Sequence, residues 1–297
     1  MKKIVIPDNY DYIGVYLTNK CHLRCDYCIT SHYNSGFSGR KIRCLSPGQW
    51  VEALNRFVLP KEVPVTLQGG EPFLYPGIWE ILEGVKHRID ILTALPTFLT
   101  REHFVKLKTL EWNKRKAPYP AIRVSYHKGQ HDYKELIKRI AELQTVLSIG
   151  LYCLEHPSYK EEFIEVEQFG KGLGIEVRRK EFLGYWQDKL YGTFRYNDAC
   201  IGINKGMRVK CRNTVIPIGP NGDIYHCHSD LYFGRESLKS GNVLDDDLVI
   251  EDKYHNCDNY GTCSECDVKI KTNRYQIFGY TSADIKFPEY RNEVSHG

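Results

Sequence analysis

Tyr12-Ile13-Gly14-Val15-Tyr16-Leu17-Thr18 runs almost directly into Cys21-His22-Leu23-Arg24-Cys25-Asp26-Tyr27-Cys28. The first stretch is aromatic, aliphatic and β-branched, which predicts a buried strand. The second places three cysteines within eight residues of the loop that follows it. Working outward, short β-branched runs alternate with longer segments of helical spacing. Further strands are predicted over Pro64–Gln68, Ile89–Ala94, Ala121–Tyr126, Val146–Leu154 and Ile175–Phe182. Between them, helices are predicted from Pro47 through Phe57 with Ser46 as cap, over Ile78–Lys86, over Thr100–Leu107 with Thr100 as cap, and over Tyr133–Leu143 and Tyr159–Phe169.

Strands separated by helices of this length argue for βαβ units and a parallel sheet. Six units are too few for a closed eight-stranded barrel, so the expected fold is α/β, a partial (β/α)6 parallel barrel. In such folds ligands sit at the C-terminal ends of strands. Cys21 and the turn Gly69-Gly70-Glu71-Pro72 both follow predicted strands directly, which puts them on one rim.

After Phe182 the texture changes to glycine, aromatic and polar residues, and helical periodicity disappears. A hairpin is predicted from Thr214–Ile218 and Asp223–Cys227, joined by Gly219-Pro220-Asn221-Gly222, where Asn-Gly is a strong turn signal. We therefore expect residues 1–190 to form the main domain, and residues 191–297 a small cysteine-rich module with a tail. The segment from Gly184 to Gly206 carries Tyr185, Trp186, Tyr191, Phe194 and Tyr196 between the two cysteine groups, and is expected to border the substrate pocket.

The 297 residues are 42% hydrophobic and 26% charged, with a net charge of +4. That is ordinary for a soluble globular chain. With no basic tail or long like-charge run, nucleic acid is not the expected partner; Lys114 to Lys116 beside Trp112 and Tyr119 reads as a solvated loop. The apolar run after Met1-Lys2-Lys3 stops at Pro7, far short of the roughly 7–15 apolar residues of a secretory core. No run approaches the roughly 18 apolar residues of a membrane span. The expected location is the cytoplasm, where thiols stay reduced and clustered cysteines point to metal or catalysis.

Eleven cysteines are present. Cys21, Cys25 and Cys28 form one group; Cys211, Cys227, Cys257, Cys263 and Cys266 form another; Cys44, Cys153 and Cys200 stand singly. Three thiolates on one loop suit a metal centre that keeps one position open for a ligand. A zinc site completed by His22 or a distant residue is the alternative.

The C-x3-C-x2-C loop after a first strand, with Tyr27 just before its last cysteine, resembles the signature of the radical S-adenosylmethionine (SAM) superfamily. Gly69-Gly70-Glu71-Pro72 resembles that superfamily's GGE motif. The resemblance implies a [4Fe–4S] cluster on Cys21, Cys25 and Cys28, whose fourth iron is chelated by SAM. It also implies Tyr27 near the adenine, and Gly69 and Gly70 giving room at the methionine end. Glu71, with Pro72, is expected near the methionyl amino group or bracing the turn. On the fourth strand Ser125 matches a ribose-contacting serine, with Tyr126 or His127 where an acidic residue is usual.

Cys211, Gly222 and Cys227, followed by Cys263-x2-Cys266, resemble the SPASM or twitch auxiliary-cluster module over residues 207 to 270. With no cysteine after Cys266, that implies one auxiliary [4Fe–4S] cluster, with Cys257 a further ligand or a free thiol. A structural zinc ribbon is the alternative.

By this resemblance, an external electron donor of flavodoxin or ferredoxin type feeds the first cluster, and a 5′-deoxyadenosyl radical takes hydrogen from a substrate carbon. An auxiliary cluster favours oxidation or bond formation on a peptide or small metabolite. With about eleven residues before the first strand, no leader-recognition domain fits there, so a peptide substrate calls for a separate leader-binding protein or direct docking. An epimerase would instead need a thiol hydrogen donor, with Cys153, Cys200 and Cys257 as candidates. A non-catalytic zinc-binding protein and a pure electron carrier are the readings from other classes.

Overall fold

The computed structural model describes residues 2–25, 28, 42–59, 62–110, 120–181, 184–187, 189–191, 208–235, 238–258 and 283–287. Its spine is a run of strands and helices in alternation: β1 (Tyr12–Thr18), α1 (Pro47–Leu54), β2 (Val65–Gly69), α2 (Ile78–Gly84), β3 (Ile89–Thr93), α3 (Arg101–Thr109), β4 (Ile122–Tyr126), α4 (Tyr133–Gln144), β5 (Ile149–Glu155), α5 (Lys160–Gly172) and β6 (Val177–Glu181). Strands β1 to β6 lie side by side in sequence order, every neighbouring pair parallel. The expected helices and strands are all present, their ends shifted by a few residues.

Alternation along the strands sorts their two faces. Ile13, Val15, Leu17, Val65, Leu67, Ile91, Ile122, Val124, Ile149 and Leu151 join the core that packs against Trp50, Ile81, Phe104, Ile137 and Val166 of the helices. The opposite face is polar though buried. Arg123 pairs with Asp90 at 3.3 Å and reaches the Thr66 hydroxyl at 3.4 Å. Helix starts follow local chemistry: Ser46 and Gln49 form a reciprocal capping box with Pro47 at the first position, and Asp132 accepts hydrogen bonds from the Lys134 and Glu135 amides.

Beyond β6 lie β7 (Val209–Asn213), β8 (Val215–Ile218), β9 (Asp223–Tyr225), α6 (His228–Phe233), β10 (Lys239–Asn242), β11 (His255–Cys257) and β12 (Ala283–Lys286). The predicted hairpin is β8–β9, antiparallel, with Gly222 at φ 86°. It does not stand apart from the main sheet. Strand β8 pairs in parallel with β1, Val215 opposite Tyr12 and Ile218 opposite Val15, so the sheet runs β10-β9-β8-β1-β2-β3-β4-β5-β6. The sheet therefore crosses residue 190, the expected boundary, with β1–β6 before it and β8–β10 after it. Strands β7, β11 and β12 form a separate three-stranded antiparallel sheet. Within the aromatic segment, Gly184–Trp186 and Lys189–Tyr191 pair as a short hairpin; Phe194 and Tyr196 lie outside the described residues. No described helix is long and apolar enough to cross a membrane.

Candidate active site

Strands β1 and β2 end together, and their outgoing loops are locked to each other. The Gly70 amide donates to the Thr18 carbonyl and the Glu71 amide to the Lys20 carbonyl, each at 2.8 Å. Gly69 is at φ 135°, and a Cβ on it would overlap the Thr18 carbonyl. A Cβ on Gly70 would overlap the carbonyls of Lys20 and Asn19. The two glycines thus let the turn lie directly on the backbone that leads into Cys21. The room they give is taken by the protein chain on this side of the turn.

Glu71 is 0% exposed. One carboxylate oxygen accepts from the Phe73 amide at 3.1 Å and the Thr93 hydroxyl at 2.8 Å; the other accepts from the Ala94 amide at 2.7 Å. Burial pushes its pKa above the ordinary carboxylate range, and these hydrogen bonds pull it back. Of the two expected roles, the structure places Glu71 in the brace of the turn. The brace extends further: Leu95, at φ 56°, donates to the Thr93 hydroxyl oxygen, and Arg139 of α4 donates to the carbonyls of Leu95, Pro96 and Leu99.

Cys21 is exposed, Cys28 half-buried and Cys25 buried. Burial raises the Cys21 thiol, with Glu71 and Cys28 adding to it, while the Leu23 and His22 amides oppose. Among the described residues no three cysteine, histidine or acidic side chains are gathered as a ready-made ion site. Three soft thiols on one loop are nonetheless the donor set that iron–sulfur chemistry uses. They would hold the cluster, and a cationic centre would relieve the mutual repulsion of the thiolates. Asp26 and Tyr27 lie outside the described residues.

Ser125 on β4 and His127 just beyond it share the parity of Arg123, and both are half-buried. Tyr126 points the other way, its hydroxyl donating to Glu162 on α5. Of the two residues at the acidic position, His127 is thus the one facing the site. Burial lowers its pKa to about 4, helped by His131, Lys180 and His22. Cys153 belongs with the helices: it is fully buried in the core, and burial pushes its thiol up to about 12. This placement argues against Cys153 as a hydrogen donor at the strand ends.

The second cysteine group collects around the small sheet. Cys211 on β7 lies opposite His255, and Val209 opposite Cys257, so Cys211 and Cys257 are diagonal neighbours on one face. Cys227 precedes α6, and His226 beside it stacks on His255 with ring centroids 4.1 Å apart. Cys200, Cys263 and Cys266 lie outside the described residues. The histidines were not singled out from sequence, although His226-Cys227-His228 and His255-Asn256-Cys257 repeat one pairing of residue types. Helix α6 lies against the polar face of the sheet, where the Tyr16 and Tyr232 hydroxyls meet at 2.6 Å and the His228 ring approaches Tyr12 and Tyr16.

The Radical SAM superfamily model matches residues 15–158, the span from β1 through the end of β5. Among curated proteins, the chain is 28% identical over 162 residues to a GTP 3′,8-cyclase of Clostridium perfringens, covering 54% of this chain and 48% of that one. It is 27% identical over 192 residues to the GTP 3′,8-cyclase of Aquifex aeolicus, covering 58% and 56%. The GTP 3′,8-cyclase of Listeria welshimeri is 25% identical over 235 residues, covering 71% and 67%. The chain thus spans about half the length of the first relatives it matches. That superfamily implies a [4Fe–4S] cluster and SAM, and its motifs fall on the two locked loops: residues 15–158 match a radical SAM domain.

Proposed function

We propose that this chain holds a [4Fe–4S] cluster on Cys21, Cys25 and Cys28 and uses SAM to oxidise, or form a bond on, a peptide or small-metabolite carbon. One observation carries the reading: the glycine turn after β2 is hydrogen-bonded to the backbone entering Cys21, so both motifs form one platform. When bound, and given one electron by a flavodoxin- or ferredoxin-type donor, the cofactor supplies methionine and a 5′-deoxyadenosyl radical that takes a hydrogen atom from the substrate.

The chain's own residues position these groups. Gly69, Gly70 and Pro72 shape the seat for the methionine end, and Glu71 keeps it rigid. Tyr27 and Ser125 serve the nucleoside end. Cys211, Cys227, Cys263 and Cys266, with Cys257, would hold one auxiliary [4Fe–4S] cluster in a twitch- or SPASM-like module beside a partial (β/α)6 barrel. Held there, such a cluster would supply the acceptor for the electron left on the substrate carbon, and loss of a proton would complete a two-electron oxidation. A peptide substrate would come with a separate leader-binding protein or dock directly. An epimerase would use Cys200 or Cys257 as donor, since Cys153 lies in the core.

A nucleotide substrate is the second reading. The matched relatives are GTP 3′,8-cyclases, and on β5–β6 the Arg178 guanidinium and the Lys180 ammonium each lie 5.9 Å from the Tyr152 ring. An aromatic ring with cations near it suits a base and its phosphates.

The test is iron, sulfide and zinc content of anaerobically prepared protein, with SAM cleavage assayed under dithionite, with and without GTP. About eight irons and 5′-deoxyadenosine are the expected result for two four-iron clusters. About four irons with cleavage would leave the second group to zinc. Zinc alone, with no cleavage after reconstitution, would overturn the proposal. GTP-dependent 5′-deoxyadenosine formation would favour the nucleotide reading over a peptide.

A further inference from the structure

The glycine turn holds the start of the cysteine loop, and a second contact holds its middle. Gln130, in the turn between β4 and α4, faces the backbone of Arg24. Its side-chain oxygen accepts from the Arg24 amide at 2.8 Å, and its side-chain nitrogen donates to the Arg24 carbonyl at 3.2 Å. One side chain thus satisfies both backbone groups of a residue 106 positions away, as a neighbouring strand would. Arg24 lies between Cys21 and Cys25, next to the buried thiol of the group.

The turn that carries Gln130 is itself fixed. The Gln130 amide donates to the His127 carbonyl at 3.1 Å, Gly129 takes φ 73°, and the His127 amide donates to His131 Nδ1 at 3.3 Å. Asp132 then caps α4. Gln130 therefore stands on a stiff support rather than a loose arm.

We infer that Gln130 is a positioning residue for the cluster site, clamping the cysteine loop so that Cys21, Cys25 and Cys28 present a fixed set of thiols. This rests on the assignment of Cys21, Cys25 and Cys28 as ligands. A two-point amide contact fixes both the translation and the rotation of the Arg24 peptide. A single hydrogen bond would leave it free to swing. Groups behind metal ligands commonly change metal retention by about 10–100-fold when removed. Both partners are solvent-accessible, so loss of the clamp hands the Arg24 groups to water and leaves the fold intact.

The experiment compares wild type, Gln130→Ala and, as a control on the same turn, Lys128→Ala. Each protein is reconstituted anaerobically with iron and sulfide. Iron release to a strong chelator and the electron paramagnetic resonance spectrum of the reduced cluster, with and without SAM, are then recorded. Hydrogen exchange of the 21–25 segment is measured on the unloaded chains. The expected result is a roughly tenfold faster iron release, a changed spectrum and faster exchange in Gln130→Ala alone, with melting temperatures alike. Equal iron release and equal exchange in all three proteins would overturn the clamp. So would an equal effect of Lys128→Ala, which would assign the result to the turn and not to the amide. A wild type that takes up no iron would instead overturn the ligand assignment, and the exchange measurement would still decide the clamp.

Discussion

The two cysteine-bearing regions are built on opposite plans. The first sits where parallel strands end, and its loop is held by backbone walls and a fully buried carboxylate. The second spreads over β7, β11 and the start of α6, held by strand pairing and a histidine stack. A parallel sheet offers a shared rim where loops from successive strands converge. A small antiparallel sheet offers only its faces, so its cysteines must come from distant segments. The first plan fixes the approach of one loop to the next; the second holds its cysteines through strand pairing.

The largest test of this contrast is deletion of thiols. Cys21→Ala, Cys25→Ala or Cys28→Ala should each abolish 5′-deoxyadenosine formation. Cys211→Ala or Cys227→Ala should roughly halve iron content while cleavage of SAM continues and substrate turnover stops. Iron assays and chromatography of 5′-deoxyadenosine read both. Loss of cleavage in the Cys211 and Cys227 variants would break the division of labour.

Next in size is the buried carboxylate. Glu71→Ala strands the Phe73 amide, Thr93 hydroxyl and Ala94 amide in a buried site, a cost of about 4 kcal/mol. Thermal unfolding should drop by on the order of 10 °C. Glu71→Gln should cost less, about 2 kcal/mol, because one oxygen remains while its amide nitrogen meets the Ala94 donor. A Glu71→Ala protein as stable as wild type would remove the brace from the account.

The glycines sharpen the comparison. Gly70→Ala pushes a methyl group into backbone carbonyls, which cannot turn aside, and should cost about 3 kcal/mol and slow iron loading. Gly222→Ala, at φ 86°, meets the Leu45 and Val243 side chains, which can shift, and should cost about 1 kcal/mol. Denaturant titration of both variants orders them. A larger loss at Gly222 would mean that the hairpin, not the rim, is the stiffer element.

Most of the first region was legible because its signals are local. A strand, three cysteines and a Gly-Gly-Glu-Pro turn are each readable within a few residues, and so is the Ser46 cap. What was not legible depends on distant partners. Glu71 is braced by Thr93 and Ala94 from the next strand, and Gln130 reaches back to Arg24. The β8–β9 hairpin was visible in its Asn-Gly turn, but nothing local says that β8 continues the sheet beside β1. Cys153 is instructive for another reason. It shares the parity of Ile149 and Leu151, so strand alternation alone assigns it to the helix-facing core.

The smallest predicted effect is the response of the first rim to acid. His127 and His131 both have pKa values lowered to about 4, chiefly by burial. His22 and Lys180 around His127, and His22 and Arg139 around His131, add positive charge. The unfolded chain binds these protons near the ordinary histidine value of 6.5, whereas the folded chain refuses them until about pH 4. Their contribution is therefore complete above pH 6.5 and is lost progressively as pH falls from there to about 4. The melting temperature of the unloaded wild type should fall across that window. His127→Asn should show a shallower fall, by the equivalent of about one proton, without changing the stability difference between Gly70→Ala and Gly222→Ala at neutral pH. An unchanged slope would mean that His127 takes up its proton in the folded chain as readily as in the unfolded one, and burial at the end of β4 would then not hold its pKa down.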